Sequence, residues 1–228
     1  SGRHFVDGHR KYLEDRLGIK IPRVGLQPDI FLTQDEKLWP SPVLNEKGFS
    51  GRYWVINAGS KKDYPLKQYH RWQEVVTLLD SMGIPVVQIG ALEHDHDPLR
   101  GAIDMRGLTA SHRDLFRLIH KADGVLTCVS YPMHIASALQ KPCVVVAGGR
   151  EGTRWELYPD HRFLYMNGAL DCCKFDGCWR SKLEECAHPV DNKYPLCLDL
   201  ILPEEVVNAV FVYYKGGALK PIRELSHV

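Results

Sequence analysis

The chain has no apolar run near the ~20 residues that a membrane helix needs, so a helical membrane span is excluded. Its opening stretch, SGRHFVDGHRKYLEDRLG, is charged throughout and has none of the apolar core of a secretory signal. Position 1 is Ser rather than Met. The leading Ser-Gly reads as a cloning scar, and the sequence as a piece of a longer protein or a processed product. Net charge is nearly absent too: 29 basic side chains against 28 acidic ones leave +1. No global field draws such a chain to nucleic acid or an anionic membrane, so any anion site has to be built locally. There is no internal repeat and no low-complexity tract. No G-x-G-x-x-G follows the first strand-like run and no P-loop occurs, which argues against an NAD enzyme and an NTPase. Neither NAD nor Mg²⁺ is expected. No Ser/His/Asp triad is evident, and the one Cys/His pair, Cys128 with His134, is weak.

What is present fits an ordinary soluble, cytoplasmic protein: 44% hydrophobic and 25% charged residues over 228 positions, enough for one large domain or two small ones. Helical spacing joins Phe5, Tyr12, Leu13 and Leu17, and Gly18 ends it. Residues 19–50 are rich in proline and polar side chains, with PDIFLT as one short strand candidate. From Tyr53 a regular alternation begins. YWVINAG reads as a strand, and Trp72, Val75, Val76, Leu78 and Leu79 recur at helical spacing up to Gly83. IPVVQIG is the next strand, and DMRG holds a short one. Ser111 can cap a helix whose buried stripe is Leu115, Leu118 and Ile119, with Asp114 three residues on. GVLTCV, PMHIASALQK and PCVVVAGG then read as strand, helix and strand. Valine-rich runs indicate strands covered on both faces. The alternation predicts an α/β fold with a Rossmann-like parallel sheet. PEEVVNAVFVYYKGG is a last helix, with Pro203 in its first turn and Gly216 at its stop. The expected organisation is a leading helix and connecting segment at 1–50 and a Rossmann-like domain at 51–166. A Cys-rich finger at 167–200 and a C-terminal helix and tail at 201–228 follow.

In such a sheet ligands bind beyond the carboxyl ends of the strands. Three loops should meet there: SKKDYPLKQYH, ALEHDHD and the SYPMH turn. In the last, Ser130 or Tyr131 is the N-cap and Pro132 sits in the first turn, where its missing N–H costs nothing. The amides of Met133, His134 and Ile135 would point outward, and His134 could add a donor. A helix end of this kind carries about half a positive charge and takes up phosphate. Taken alone, the turn is equally a plain helix start with a structural histidine. Lys61, Lys62 and Lys67 on the same sheet edge favour a diphosphate site, since lysine serves as a compact point charge for phosphate. Glu93, His94, Asp95, His96 and Asp97 read as a solvated loop near the nucleotide rather than a metal site. Arg150 and Glu151, after the last valine strand, are candidate ribose or sugar contacts. Trp72 reads as core packing.

Five of the seven cysteines crowd into 26 residues with the spacing C-C-x4-C-x7-C-x10-C. Two C-x2-C pairs would mark a zinc ribbon, and they are missing. Four thiolates around structural zinc or iron remain reasonable. Adjacent residues seldom both ligate one ion, so the set favoured is Cys173, Cys178, Cys186 and Cys197, with Cys172 as substitute. A group of buried free thiols is the plainer alternative.

The order of these motifs resembles the C-terminal half of family 9 glycosyltransferases, the ADP-heptose heptosyltransferases. The matching residues are Gly59-Ser60, Lys67, Gly90, Gly107-Leu108-Thr109 and Ser130-Tyr131-Pro132-Met133-His134-Ile135-Ala136, about half the chain. Where that family has Asp and Gly around the Pro-Met-His turn, this chain has Val129 and Tyr131. The tail GGREGTRWELYPDHRFLYMNGALDCCKFDGCWRSK resembles the autotransporter heptosyltransferase branch, which glycosylates protein and carries a cysteine-ligated iron finger. The resemblance implies half of a GT-B fold and a bacterial enzyme. It implies inverting transfer from an ADP-sugar donor to a protein or saccharide acceptor, with no nucleic-acid partner and self-association left open. The diphosphate would lie on Lys62, Lys67 and Ser130 to His134, and the nucleoside near Ser60, Gly90, Leu108, Thr109, Arg150 and Glu151. The acceptor domain and its catalytic base would be absent from this sequence. Three alternatives stand beside this reading: a non-catalytic nucleotide-binding module, a sugar-nucleotide epimerase of the same fold, and a Cys-metal interaction scaffold.

Overall fold

The computed structural model describes residues 3–22, 25–39, 41–60, 65–94, 96–174, 177–181 and 185–214. Helices α1 (Phe5–Leu17), α2 (Gln34–Leu38) and α3 (Pro42–Glu46) precede a six-stranded sheet. Its strands are β1 (Trp54–Asn57), β2 (Val86–Ile89), β3 (Ile103–Asp104), β4 (Gly124–Cys128), β5 (Cys143–Gly148) and β6 (His161–Tyr165). Helices α4 (Trp72–Ser81), α5 (His112–Lys121), α6 (Tyr131–Ala138) and α7 (Thr153–Glu156) connect them. A small antiparallel pair, β7 (Pro189–Val190) and β8 (Tyr194–Pro195), leads into α8 (Leu196–Asp199) and α9 (Pro203–Tyr214).

The strand order is β3-β2-β1-β4-β5-β6, and every neighbouring pair is parallel. This is the Rossmann order 3-2-1-4-5-6, and it reverses between β1 and β4. Asn57, the last residue of β1, pairs in register with Ile89 of β2 and Thr127 of β4. Three strands therefore end level at the crevice where such sheets bind ligands.

Alternation along the strands divides the core into two layers. Trp54 and Ile56 face Trp72, Val75, Val76 and Leu79 of α4 and Val206, Val207 and Val210 of α9. Val55 faces the other way, onto Leu118 and Ile119 of α5 and Met133, Ile135 and Ala136 of α6. Every residue of β1, β2, β4 and β5 is buried, which is why these strands read as mainly apolar runs, broken only by the buried Asn57, Gln88 and Thr127. Gly124 has no room for a side chain: a Cβ there would lie 2.5 Å from the Trp54 ring and 2.9 Å from the Pro142 carbonyl oxygen.

Sequence and structure differ at three places. PDIFLT forms no strand, and Phe31 is 85% exposed. A side chain rather than a neighbouring strand meets this backbone, with Arg113 Nη2 donating to the Phe31 carbonyl at 2.9 Å. A capping box between Thr33 and Glu36 then opens α2 at once. The short strand expected in DMRG lies one step earlier, at Ile103–Asp104. β6 was not anticipated because it carries no valine run; burial alternates along His161–Tyr165, as on a sheet edge. Lys61, Lys62, Asp95 and Gly216 lie outside the described residues.

Candidate functional site

A cleft of about 1100 Å³ opens over the carboxyl ends of β1, β2 and β4. Residues of four segments line it: Gly59, Ser60 and Lys67; Gly90 to His94; Gly107 and Thr109 to His112; and Val129 to Pro132. The last two run into the N-termini of α5 and α6, so two positive helix ends border the same space.

Ser130 is the N-cap of α6 and Pro132 its second residue. The Ser130 side chain does not cap the helix. Its Oγ lies 2.7 Å from Thr127 Oγ1 and accepts from Asn57 Nδ2 at 3.3 Å, tying the ends of β1 and β4 together. The Met133 amide turns back to the Ser130 carbonyl at 3.1 Å. With the helix starting at Tyr131, the amides that it cannot pair from within are those of Ser130 and Tyr131. The His134 and Ile135 amides lie one step inside, so the donors facing the cleft come earlier than the sequence suggested.

Lys67 ends a short 3₁₀ turn, Pro65–Lys67, and reaches into the cleft. Its Nζ is 2.6 Å from Glu151 Oε1. The Glu151 side chain is only 8% exposed and that of Lys67 31%. The carboxylate therefore sits behind the lysine rather than in the cleft. Arg150 Nε is 3.9 Å from the same oxygen. Burial and the charge of Glu151 raise the Glu156 carboxyl above its usual range, and Lys67 opposes this.

Two cleft-lining glycines owe their identity to His96. Its ring lies 2.8 Å from where a Cβ of Gly59 would stand and 2.5 Å from that of Gly90. The ring is held by the Ala91 carbonyl at 3.2 Å and by Gln88 Nε2 at 3.2 Å from Nδ1. His96 thus packs against the backbone of two cleft glycines and is not a solvated loop residue; its sequence signal was swamped by the surrounding charges of EHDHD.

Of the residues expected to bind ligand, Ser60, Lys67, Gly90, Thr109, Ser130, Tyr131 and Pro132 all line the cleft. Leu108 stands beside it, 45% exposed, and Arg150 and Glu151 stand behind Lys67. Met133 is fully buried in the core. His134 turns away: its Nδ1 is 2.8 Å from the Tyr158 hydroxyl, and Phe5 of α1 packs edge-on against it at 5.7 Å. His4 and His161 pack on the same Tyr158. Burial lowers the pKa of all three histidines, that of His161 to about 3. Cys128 lines the cleft, but burial pushes its thiol up to about 12, which removes it as a nucleophile.

All five clustered cysteines, Cys172, Cys173, Cys178, Cys186 and Cys197, line one small void of about 20 Å³. Gly148 and Gly149, at the end of β5, make room for them: a Cβ on Gly149 would meet Cys173 Sγ at 2.9 Å. Burial, then the neighbouring thiols, raise Cys172 to about 11. Among the described residues no three donors are set around one ion-sized point. The donor chemistry suits a thiophilic ion; the arrangement seen is a convergence of free thiols.

No family model and no curated protein sequence matches the chain. Solved structures do. The ADP-heptose lipopolysaccharide heptosyltransferase II of E. coli superposes with TM-score 0.60 at 19% identity, over 86% of this chain and 56% of that one. A family 9 glycosyl transferase from Veillonella parvula gives TM-score 0.63 at 16% identity, over 95% and 61%. The dodecameric iron-containing heptosyltransferase TibC, solved with ADP-D-β-D-heptose, gives 0.57 at 20% identity, over 74% and 46%. The likeness is one of fold. The chain spans about half the length of these structures.

Proposed function

We propose that the chain is the nucleotide-sugar-binding half of a GT-B glycosyltransferase, which transfers a heptose from an ADP-sugar to a protein or saccharide hydroxyl. One observation carries this reading: Lys67 and the N-termini of α5 and α6 surround a single cleft at the switch point of the sheet. The fold likeness to heptosyltransferases supports it. Lys67 and the amides of Ser130 and Tyr131 would stabilise the diphosphate as it leaves, which is electrostatic stabilisation of developing charge. Ser60, Gly90 and Thr109 would frame the nucleoside. The acceptor and the base that activates it belong to the half outside this chain. Calorimetric titration with ADP, UDP and GDP tests the reading. ADP should bind selectively; failure of every nucleoside diphosphate to bind at millimolar concentration would sink it.

The convergent thiols are proposed to hold one structural iron or zinc ion, through Cys173, Cys178, Cys186 and Cys197 with Cys172 as substitute. Thiolate ligation would brace the loop behind β5. Protein produced with both metals supplied should contain about one equivalent, and Cys197→Ser should lose it. Metal-free wild-type protein would leave the cluster as plain thiols.

A further inference from the structure

The lining of the cleft is of two kinds. Lys67, Asn57 and Ser130 are polar. Leu92, Ala110, Leu115, His112 and Tyr131 supply apolar and aromatic surface. Tyr131 is the first residue of α6 and His112 the first of α5, so the two helix starts bring their rings together. The centroids are 5.6 Å apart and the planes cross at 86°. His112 is backed in turn by the Phe116 ring, nearly parallel at 6.4 Å. Tyr131 lines the cleft and remains 47% exposed.

We propose that Tyr131, buttressed by His112, is the stacking surface for the nucleobase and so helps to set donor specificity. The proposal rests on the nucleotide-sugar reading above and deepens it. A perpendicular pair of rings makes a corner. A flat heteroaromatic ring laid on one face meets the other edge-on, and both arrangements are favourable for aromatic groups. Of the three parts of a nucleotide sugar, only the base matches an apolar, aromatic surface. The diphosphate goes to the lysine and the helix amides, and the sugar, polar all round, to the open side. Tyrosine gives this surface with two side-chain torsions, so little freedom is lost when the base arrives.

The test separates base from phosphate. Wild-type, Tyr131→Ala and Tyr131→Phe proteins are titrated with ADP and with inorganic pyrophosphate. Tyr131→Ala should weaken ADP about tenfold, the scale of one base stacked on an aromatic ring, and leave pyrophosphate within twofold. Tyr131→Phe should restore ADP. Equal weakening of both ligands overturns the proposal, because the ring then only shapes the helix end. So does unchanged ADP binding in Tyr131→Ala. A wild-type protein that binds neither ligand refutes the nucleotide-site reading itself. One that binds pyrophosphate but no nucleoside diphosphate refutes that reading as well, whereas unchanged or equally weakened binding in Tyr131→Ala refutes the base surface alone. Tyr131 is half-exposed, so an unchanged unfolding midpoint is expected in both variants.

Discussion

Lys67→Ala is expected to weaken nucleoside-diphosphate binding by about a hundredfold if the proposed site is correct. Charge-assisted hydrogen bonds to an ionised group are worth about 1.5–3 kcal/mol, and 2.7 kcal/mol is a factor of a hundred. The substitution has a second effect that must be kept apart from the first. It strips Glu151, whose side chain is 8% exposed, of the ammonium 2.6 Å away. Breaking a buried pair from one side costs about 3–5 kcal/mol, but Lys67 is 31% exposed, so solvent reduces this to about 1–2 kcal/mol. A lower unfolding midpoint is therefore expected together with the lost affinity. Lys67→Met combined with Glu151→Gln removes both charges and should recover stability but not binding. Calorimetry and thermal unfolding on the three proteins separate the two effects. Undiminished ADP affinity in Lys67→Ala would refute a diphosphate site at Lys67.

Between pH 7 and pH 5 the fold loses about 2 kcal/mol of stability from His161 alone. The sign follows from burial. His161 is held neutral in the fold, with its pKa lowered from 6.5 to about 3, first by desolvation and then by His134. Below pH 6.5 the unfolded chain takes up a proton that the folded chain refuses, at 1.36 kcal/mol per unit of pH until about pH 3. His4 and His134 pack on the same Tyr158 ring and are lowered in the same direction, again chiefly by burial. Asp7 opposes the shift at His4, and Lys67 reinforces that at His134. Glu156 works the other way, since its raised pKa favours the fold once it is protonated. Asp104 and Glu74, lowered by Arg106 and Arg71, add to the loss only below about pH 4.5. Urea unfolding at pH 7, 6 and 5 should show midpoints that fall in step, and His161→Leu should flatten the series. A wild-type midpoint that stays constant over this range would refute the account.

The sheet was legible in the sequence wherever a strand is covered on both faces. Runs such as CVVVAG are apolar throughout because both layers of the core touch them, and in VVQI only Gln88 breaks the run, its amide paired to the backbone of Asp97 and Leu99. The helix starts were legible too, since Ser111 and the Ser130–Pro132 turn follow local rules of capping. β6 was not, because an edge strand alternates and its His161–Arg162 start resembles a loop. The cleft-lining lysine was readable from its loop, whereas Glu151 behind it was not. Its role depends on the β5–α7 loop folding back across the sheet, which no local pattern records. His134 shows the opposite failure: its place in the Pro-Met-His turn invites a ligand role, but one helical turn carries it to the Tyr158 side.

The position of α9 sets a condition on how the chain acquires its structure. The Tyr69 hydroxyl donates to the Ile201 carbonyl at 2.7 Å, across 132 residues of chain. Beside it, Val206, Val207 and Val210 cover the face that α4 and β1 share. That face has no complete cover until the last described helix has been synthesised. Contacts so distant in sequence must close a large loop before they return any free energy, which slows folding. On the ribosome, the earlier strands and α4 wait with an apolar surface exposed, the circumstance in which partly folded chains associate.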